Sequence, residues 1–220
     1  MDLETIVIFG ANSYISKKII PQLNYNNIIC ISKNLKIKNN KNIKIFKDYK
    51  DNEKKINKFI KKNTTVIFFN NFSVDNLIFN KSLDELKKEL DGSIFYVFEN
   101  AKLISKELIK KKNSSLIFVG SSRGLASDIG ISGYSISKNA LVGMMNSFAK
   151  ELSLFGVRSN YLSLGYFDSP LFNKVKNSKM LISNTTIKKK GDFKSVINAI
   201  EFLSKSYYVT KSIIKVDGGY

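Results

Sequence analysis

The 220-residue chain carries 36 Lys and Arg against 18 Asp and Glu, a formal charge of +18, with 43% hydrophobic residues and Cys30 as its one cysteine. That length suits one domain with its own core, the lack of any ~18-residue apolar run predicts no membrane span, and a lone cysteine excludes a disulfide framework. Only Arg123 and Arg158 are arginines, and no arginine cluster, basic–aromatic ladder or zinc-ligand spacing is present, so the charge reads as solvated lysine surface and neither a nucleic-acid nor a metal site is expected.

Thr5–Phe9 is an apolar run that reads as a buried strand. It leads into Gly10-Ala11-Asn12-Ser13 and then a helical pattern through Ile15, Ile19, Ile20 and Leu23. Pro21 falls inside that pattern and should kink the helix or end it early. Ile28–Ile31 is a second strand ending at Ser32-Lys33-Asn34, and Ile43–Phe46 a short third one ending near Asp48. Lys54 to Ile60 has amphipathic helical spacing. Thr65–Phe69 is the fourth strand, running into Asn70-Asn71-Phe72-Ser73. From Leu83 to Lys112 a long helical pattern is predicted to break or bend near Asp91-Gly92.

Leu116–Val119 reads as a fully buried strand and leads into Gly120-Ser121-Ser122. Tyr134 follows Ser121 by thirteen residues, and Lys138 follows Tyr134 by four, which puts both on one helix face a single turn apart. A tyrosine hydroxyl with a pKa of ~10 is a poor proton shuttle at neutral pH unless its phenolate is stabilised. An ammonium one turn away does this by opposite charge. Ser121, or the adjacent Ser122 if the strand ends one residue later, would hydrogen-bond a substrate carbonyl and hold it against the tyrosine. The trio suits general acid–base chemistry at a C=O/CH–OH centre.

The same helix continues through Ala140, Leu141, Met144, Met145, Phe148 and Leu152, an apolar stripe too wide for one sheet contact, to a C-cap at Gly156. Val157–Leu162 is the sixth strand, followed by Leu164-Gly165-Tyr166-Phe167-Asp168-Ser169-Pro170. Residues 171–190 are rich in Lys, Asn and Ser; Gly191–Ser204 reads as a helix and Ser212–Val216 as the last strand. Strands alternating with helices predict the α/β class, a doubly wound parallel sheet in a single domain over residues 1–220. The acidic Met1-Asp2-Leu3-Glu4 predicts no signal peptide, and a cytoplasmic location is expected.

Ser121, Tyr134 and Lys138, in this order and spacing, resemble the active site of the short-chain dehydrogenase/reductase family, and the resemblance runs from Thr5 to the closing Val216-Asp217-Gly218-Gly219. It implies a Rossmann-type three-layer fold and a nicotinamide-dependent ketoreductase that interconverts a ketone and a secondary alcohol by hydride transfer. In that scheme Tyr134 passes the proton, Lys138 lowers the tyrosine pKa and grips the ribose, and Ser121 polarises the carbonyl. The cofactor would lie over Gly10, Asn12, Ser13, Tyr14 and Ile15, in a turn where only Gly10 survives of the family's three glycines and Tyr14 and Ser16 hold the other two positions. Lys33 stands where a carboxylate would hold the ribose hydroxyls, which favours NADP(H) over NAD(H).

The resemblance further implies an adenine-side contact at Asp48, cleft lining by Asn70 and Asn71, and nicotinamide-end contacts at Gly165, Phe167 and Ser169. Ser93 occupies the family's proton-relay asparagine position and is the candidate to hold a water there, Asn100 being two turns away. Residues 171–190 would cover the substrate. The expected partner is a small-molecule carbonyl or alcohol, and the positive surface suits an anionic one such as a nucleotide-linked sugar or an acyl-carrier thioester. In the family the same long helix packs against a partner subunit, so the resemblance implies a homodimer or homotetramer, while the wide stripe by itself fits a well-buried helix equally well; no nucleic-acid or membrane partner is expected. A second reading, a catalytically weak or inactive partner protein on the same fold, rests on Tyr14, Ser16 and Ser93; the intact trio argues for the enzyme. Nucleic-acid binding ranks third.

Overall fold

The computed structural model describes residues 4–35, 37, 41–173 and 178–220. Its centre is one seven-stranded sheet: β1 (Thr5–Phe9), β2 (Asn27–Ile31), β3 (Ile43–Phe46), β4 (Thr65–Phe68), β5 (Ser115–Ser121), β6 (Arg158–Leu164) and β7 (Ile213–Val216). The order is β3-β2-β1-β4-β5-β6-β7, with every neighbouring pair parallel. The helices are α1 (Tyr14–Ile19), α2 (Glu53–Asn57), α3 (Leu83–Leu90), α4 (Tyr96–Leu108), α5 (Ser122–Ala126), α6 (Ser132–Leu152), α7 (Pro170–Asn173), α8 (Ser178–Ser183) and α9 (Phe193–Lys205).

Alternation along each strand sends side chains to both layers, so the central strands are apolar throughout. Ile6, Ile8, Ile117, Val119 and Leu162 pack with α1 and α9 residues such as Ile19, Val196 and Ile200. Val7, Phe9, Phe68, Leu116, Phe118 and Tyr161 pack on the other side with Val97, Ile104, Leu141 and Met145. On that side Phe9, Phe68 and Phe118 stack across three adjacent strands, with ring centroids 4.7 Å and 5.3 Å apart. Both faces being covered is what makes the sheet doubly wound.

Pro21 does end the first helix: α1 stops at Ile19 and a short 3₁₀ turn, Ile20–Gln22, follows. The long pattern after Leu83 divides where Asp91-Gly92 predicted, with a π turn at Asp91–Phe95 between α3 and α4. The Lys54–Ile60 helix is shorter than its pattern, Glu53–Asn57 after a 3₁₀ turn. Residues 171–190 hold α8 and most of α7; residues 174–177 lie outside the described residues. Among the described residues no helix is long and apolar enough to cross a membrane.

The strand order reverses between β1 and β4. Ligand crevices in open parallel sheets form at such a point, outside the carboxyl ends of the strands. Gly10, Asn70, Ser121 and Gly165 all stand at those ends.

Candidate active site

Ser121 closes β5 and is the N-cap of α5, its hydroxyl accepting from the Gly124 amide at 3.3 Å. Tyr134 and Lys138 sit in the first two turns of α6, and Tyr134 lines the same cleft wall as Ser121. The Lys138 ammonium lies 5.4 Å from the Tyr134 ring centroid and donates to the Val119 carbonyl at 3.4 Å. Three glycines make this packing feasible. A Cβ on Gly124 would stand 2.8 Å from Lys138 Cγ and 2.9 Å from Tyr134 Cε1. On Gly120 it would run into the Tyr161 hydroxyl, and on Gly133 into the Glu89 carboxylate.

Tyr161 staples β5 to α6: its hydroxyl accepts from the Ser121 amide at 3.3 Å and donates to the Lys138 carbonyl at 3.2 Å. Glu89 and Lys81 form a 2.7 Å ion pair whose side chains are 1% and 4% exposed. Glu89 also accepts from the Val74 amide at 2.7 Å, and Lys81 donates to the Val74 carbonyl at 2.7 Å. This knot ties the segment after β4 to α3 and sets it against the first turn of α6.

Which serine faces the cleft is decided here. Ser122 is buried, hydrogen-bonded to Ser163 at 2.9 Å and donating to the Asp217 carboxylate, whereas Ser121 lines the cleft. Ser93 is fully buried, and its hydroxyl accepts from the Phe72 amide at 3.0 Å and donates to the Phe72 carbonyl at 3.3 Å. It clips the post-β4 segment and does not line the cleft.

Burial raises the Tyr134 pKa, against the nearby Ser121 side chain and the Arg123 charge, which pull it down; Asp75 adds to the rise. The sequence pattern assigned that pull to Lys138. Burial instead lowers Lys138 itself to about 8, because the ammonium is out of water.

On the β1 side, Gly10 has φ +69°, and a Cβ there would approach the Asn70 amide nitrogen to 2.8 Å. Ser13 caps α1 through the Ser16 amide at 3.1 Å, the two hydroxyls lie 2.6 Å apart, and Ser16 donates to the Gly10 carbonyl at 3.2 Å. Ser16 is fully buried, so a satisfied serine fits where a glycine stands in the family pattern. Tyr14 projects at the cleft edge, its ring 6.2 Å from Phe193.

A cleft of about 310 Å³ brings together Ser13, Tyr14, Ile15, Asn71, Ser121, Tyr134, Lys138, Gly165, Phe167 and Ser169 of the sequence-predicted residues. Gly10, Asn12, Lys33, Asp48, Asn70 and Ser93 are not in its wall. Lys33 and Asn12 are exposed, and one Asp48 carboxylate oxygen accepts from the Asp51 amide at 2.8 Å. Asn70 Oδ1 is buried with no hydrogen-bond partner among the described residues. Sequence reasoning missed Ser73, Asp75, Arg123, Ile131, Tyr166 and Phe172 in the wall. For Arg123 a signal existed, an arginine two residues past Ser121 in a chain whose only other arginine is Arg158.

A family model described as enoyl-(acyl carrier protein) reductase matches residues 46–220. The chain is 32% identical over 145 residues to a 3-oxoacyl-(acyl-carrier-protein) reductase of Bos taurus, covering 66% of this chain and 61% of that protein, just under two thirds of its length. It is 28% identical to the 3-oxoacyl-(acyl-carrier-protein) reductase FabG of Buchnera aphidicola subsp. Schizaphis graminum, covering 100% of this chain and 98% of that one. In fold it is similar to a short chain dehydrogenase from Leptospira borgpetersenii with bound NAD+, at a TM-score of 0.87 and 17% identity, covering 100% of this chain and 93% of that one. A short chain dehydrogenase family protein from Francisella tularensis gives a TM-score of 0.84 at 21% identity, covering 100% and 99%.

Proposed function

The chain belongs to the short-chain dehydrogenase/reductase family, and from that premise we propose that it is a nicotinamide-dependent enzyme interconverting a ketone and a secondary alcohol. The observation that carries this reading is that Ser121, Tyr134 and Lys138 line one cleft, with the Lys138 ammonium 5.4 Å from the Tyr134 ring centroid. In the reducing direction Ser121 donates a hydrogen bond to the substrate carbonyl and Tyr134 delivers the proton to its oxygen. Lys138 stabilises the resulting tyrosinate by charge. A 3-oxoacyl group is the first substrate class to test, since the bovine and Buchnera relatives are named for it.

The turn after β1 fits a dinucleotide. Gly10, at φ +69°, lets the turn pass against the end of β4, Ser13 and Ile15 line the cleft beside it, and the buried Asn70 Oδ1 lacks a partner among the described residues. Ser13, Tyr14, Ile15, Asn71, Gly165, Phe167 and Ser169 would hold the cofactor, with Asp48 and Lys33 toward its adenine end. The bound nicotinamide would supply or take the hydride. Lys33, with no carboxylate beside it in Ser32-Lys33-Asn34, favours NADP(H).

We also read the chain as a homo-oligomer. Phe95, Phe98 and Ile136 are 59%, 49% and 48% exposed on the outer sides of the π turn, α4 and α6.

The test is a fluorescence titration with NADPH and NADH, followed by reduction of acetoacetyl-CoA. NADPH binding that weakens about tenfold in Lys33→Asp, and turnover that falls about 1,000-fold in Tyr134→Phe with NADPH still bound, support the reading. Failure to bind either nucleotide sinks it and leaves a partner protein on the same fold.

A further inference from the structure

We propose that Arg123 makes this an enzyme for acidic ketones: its guanidinium binds a carboxylate or phosphate carried by the substrate close to the carbonyl that Ser121 and Tyr134 hold. The inference rests on the reductase reading and names the substrate class within it.

The two arginines are exceptions in a chain of 36 cationic residues. Arg158 is committed to structure, donating to the carbonyls of Leu203, Ser204 and Val209 at 2.6–3.0 Å. Arg123 is not spent in that way. It stands in the first turn of α5, two residues after Ser121, and lines the same cleft as Ser121 and Tyr134. Its side chain is 25% exposed.

Asp128 fixes one edge of the guanidinium, accepting from Nε at 3.0 Å while its other oxygen takes the Ile129 amide at 2.8 Å. Among the described residues that Nε bond is the hydrogen bonding of the group, which leaves the two terminal nitrogens for a planar oxyanion. A lysine would supply charge without this fork.

Tyr166 closes the wall beside Arg123. It lines the cleft, is 8% exposed, and its hydroxyl has no hydrogen-bond partner among the described residues. The opposing charge in the wall is Asp75, which is exposed and forms no ion pair with Arg123 among the described residues. The Arg123 charge is felt at the reacting centre, since it pulls the Tyr134 pKa down.

The experiment compares kcat/KM for two matched pairs with NADPH as reductant: acetoacetate against methyl acetoacetate, and hydroxyacetone phosphate against hydroxyacetone. The wild-type chain should prefer the acidic member of at least one pair by about tenfold or more, the pair identifying carboxylate or phosphate. Arg123→Gln should lower both members, since it also removes charge beside Tyr134, but erase the preference; Arg123→Lys should keep part of it. Equal loss on both members of each pair, or a wild-type preference for the neutral ones, overturns the inference and leaves Arg123 as a brace for Asp128. Reduction of the neutral ketones without any acid preference, or reduction of acetoacetyl-CoA with none of the four compounds turned over, overturns this inference alone, whereas no reduction of acetoacetyl-CoA or of any of the four removes the reductase reading with it.

Discussion

On the β5–α6 side of the cleft, Gly120, Gly124 and Gly133 each stand where a Cβ would run into Tyr161, the Tyr134–Lys138 pair or Glu89. On the β1 side, the turn after Gly10 carries Tyr14 and Ser16, and side-chain hydrogen bonds among Ser13, Ser16 and the Gly10 carbonyl hold it in shape. One side is fixed by the absence of side chains, the other by their bonds. Close packing tolerates no added volume, while a hydrogen-bonded turn yields gradually as bonds are removed.

The comparison breaks most visibly at the Glu89–Lys81 knot. Lys81→Met leaves a buried carboxylate uncompensated and should cost about 4 kcal/mol in denaturant unfolding, while Lys81→Met with Glu89→Leu should recover most of it. If the single variant is as stable as the parent, the knot does not brace the site. Next comes Gly120→Ala, where the new methyl meets Tyr161; a loss of about 3 kcal/mol is expected, seen as a fall in Tm of roughly 10 °C.

pH sharpens the same contrast. Burial holds Lys138 near 8, below its ordinary 10.5, so between these values the unfolded chain binds the extra proton. Stability therefore rises with pH from about 8 toward 10.5 through this group, relative to Lys138→Met. The raised Tyr134 works the other way above 10, where the unfolded phenol ionises first. Activity should fall above pH 8 as the ammonium is lost. Thermal melts and kcat/KM profiles moving in opposite directions between pH 8 and 10 would be the signature; a parallel rise would show that Lys138 charge is not needed.

The smallest effect belongs to the β1 side. Ser16→Gly should cost no more than about 1 kcal/mol, and Tyr14→Gly should tighten nucleotide binding if the ring crowds the cleft mouth. A loss of several kcal/mol in Ser16→Gly would place this turn in the same class as Gly120.

Local pattern alone made much of the fold legible. All seven strands, the stop at Pro21 and the break at Asp91-Gly92 follow from periodicity, proline chemistry and glycine, which act over a few residues. The Tyr134–Lys138 spacing is equally local, a property of one helix turn, and with Ser121 it marked one wall of the cleft before any coordinate.

The rest depends on chain ends that only the sheet order brings together. Ser121 and Ser122 are neighbours in sequence, and nothing local says which faces the cleft; Asp217 and Ser163, on two other strands, draw Ser122 inward. Tyr161 reaches back 40 residues to the Ser121 amide. Glu89 finds its room in the missing side chain of Gly133, and Arg123 comes to the same cleft wall as Tyr134 and Tyr166. Sequence determined the elements and picked out three residues, Ser121, Tyr134 and Lys138, that line one cleft, because backbone preference and helical spacing are short-range. Tertiary structure decided what surrounds the trio, because burial, charge proximity and the space left by a glycine are properties of several segments at once.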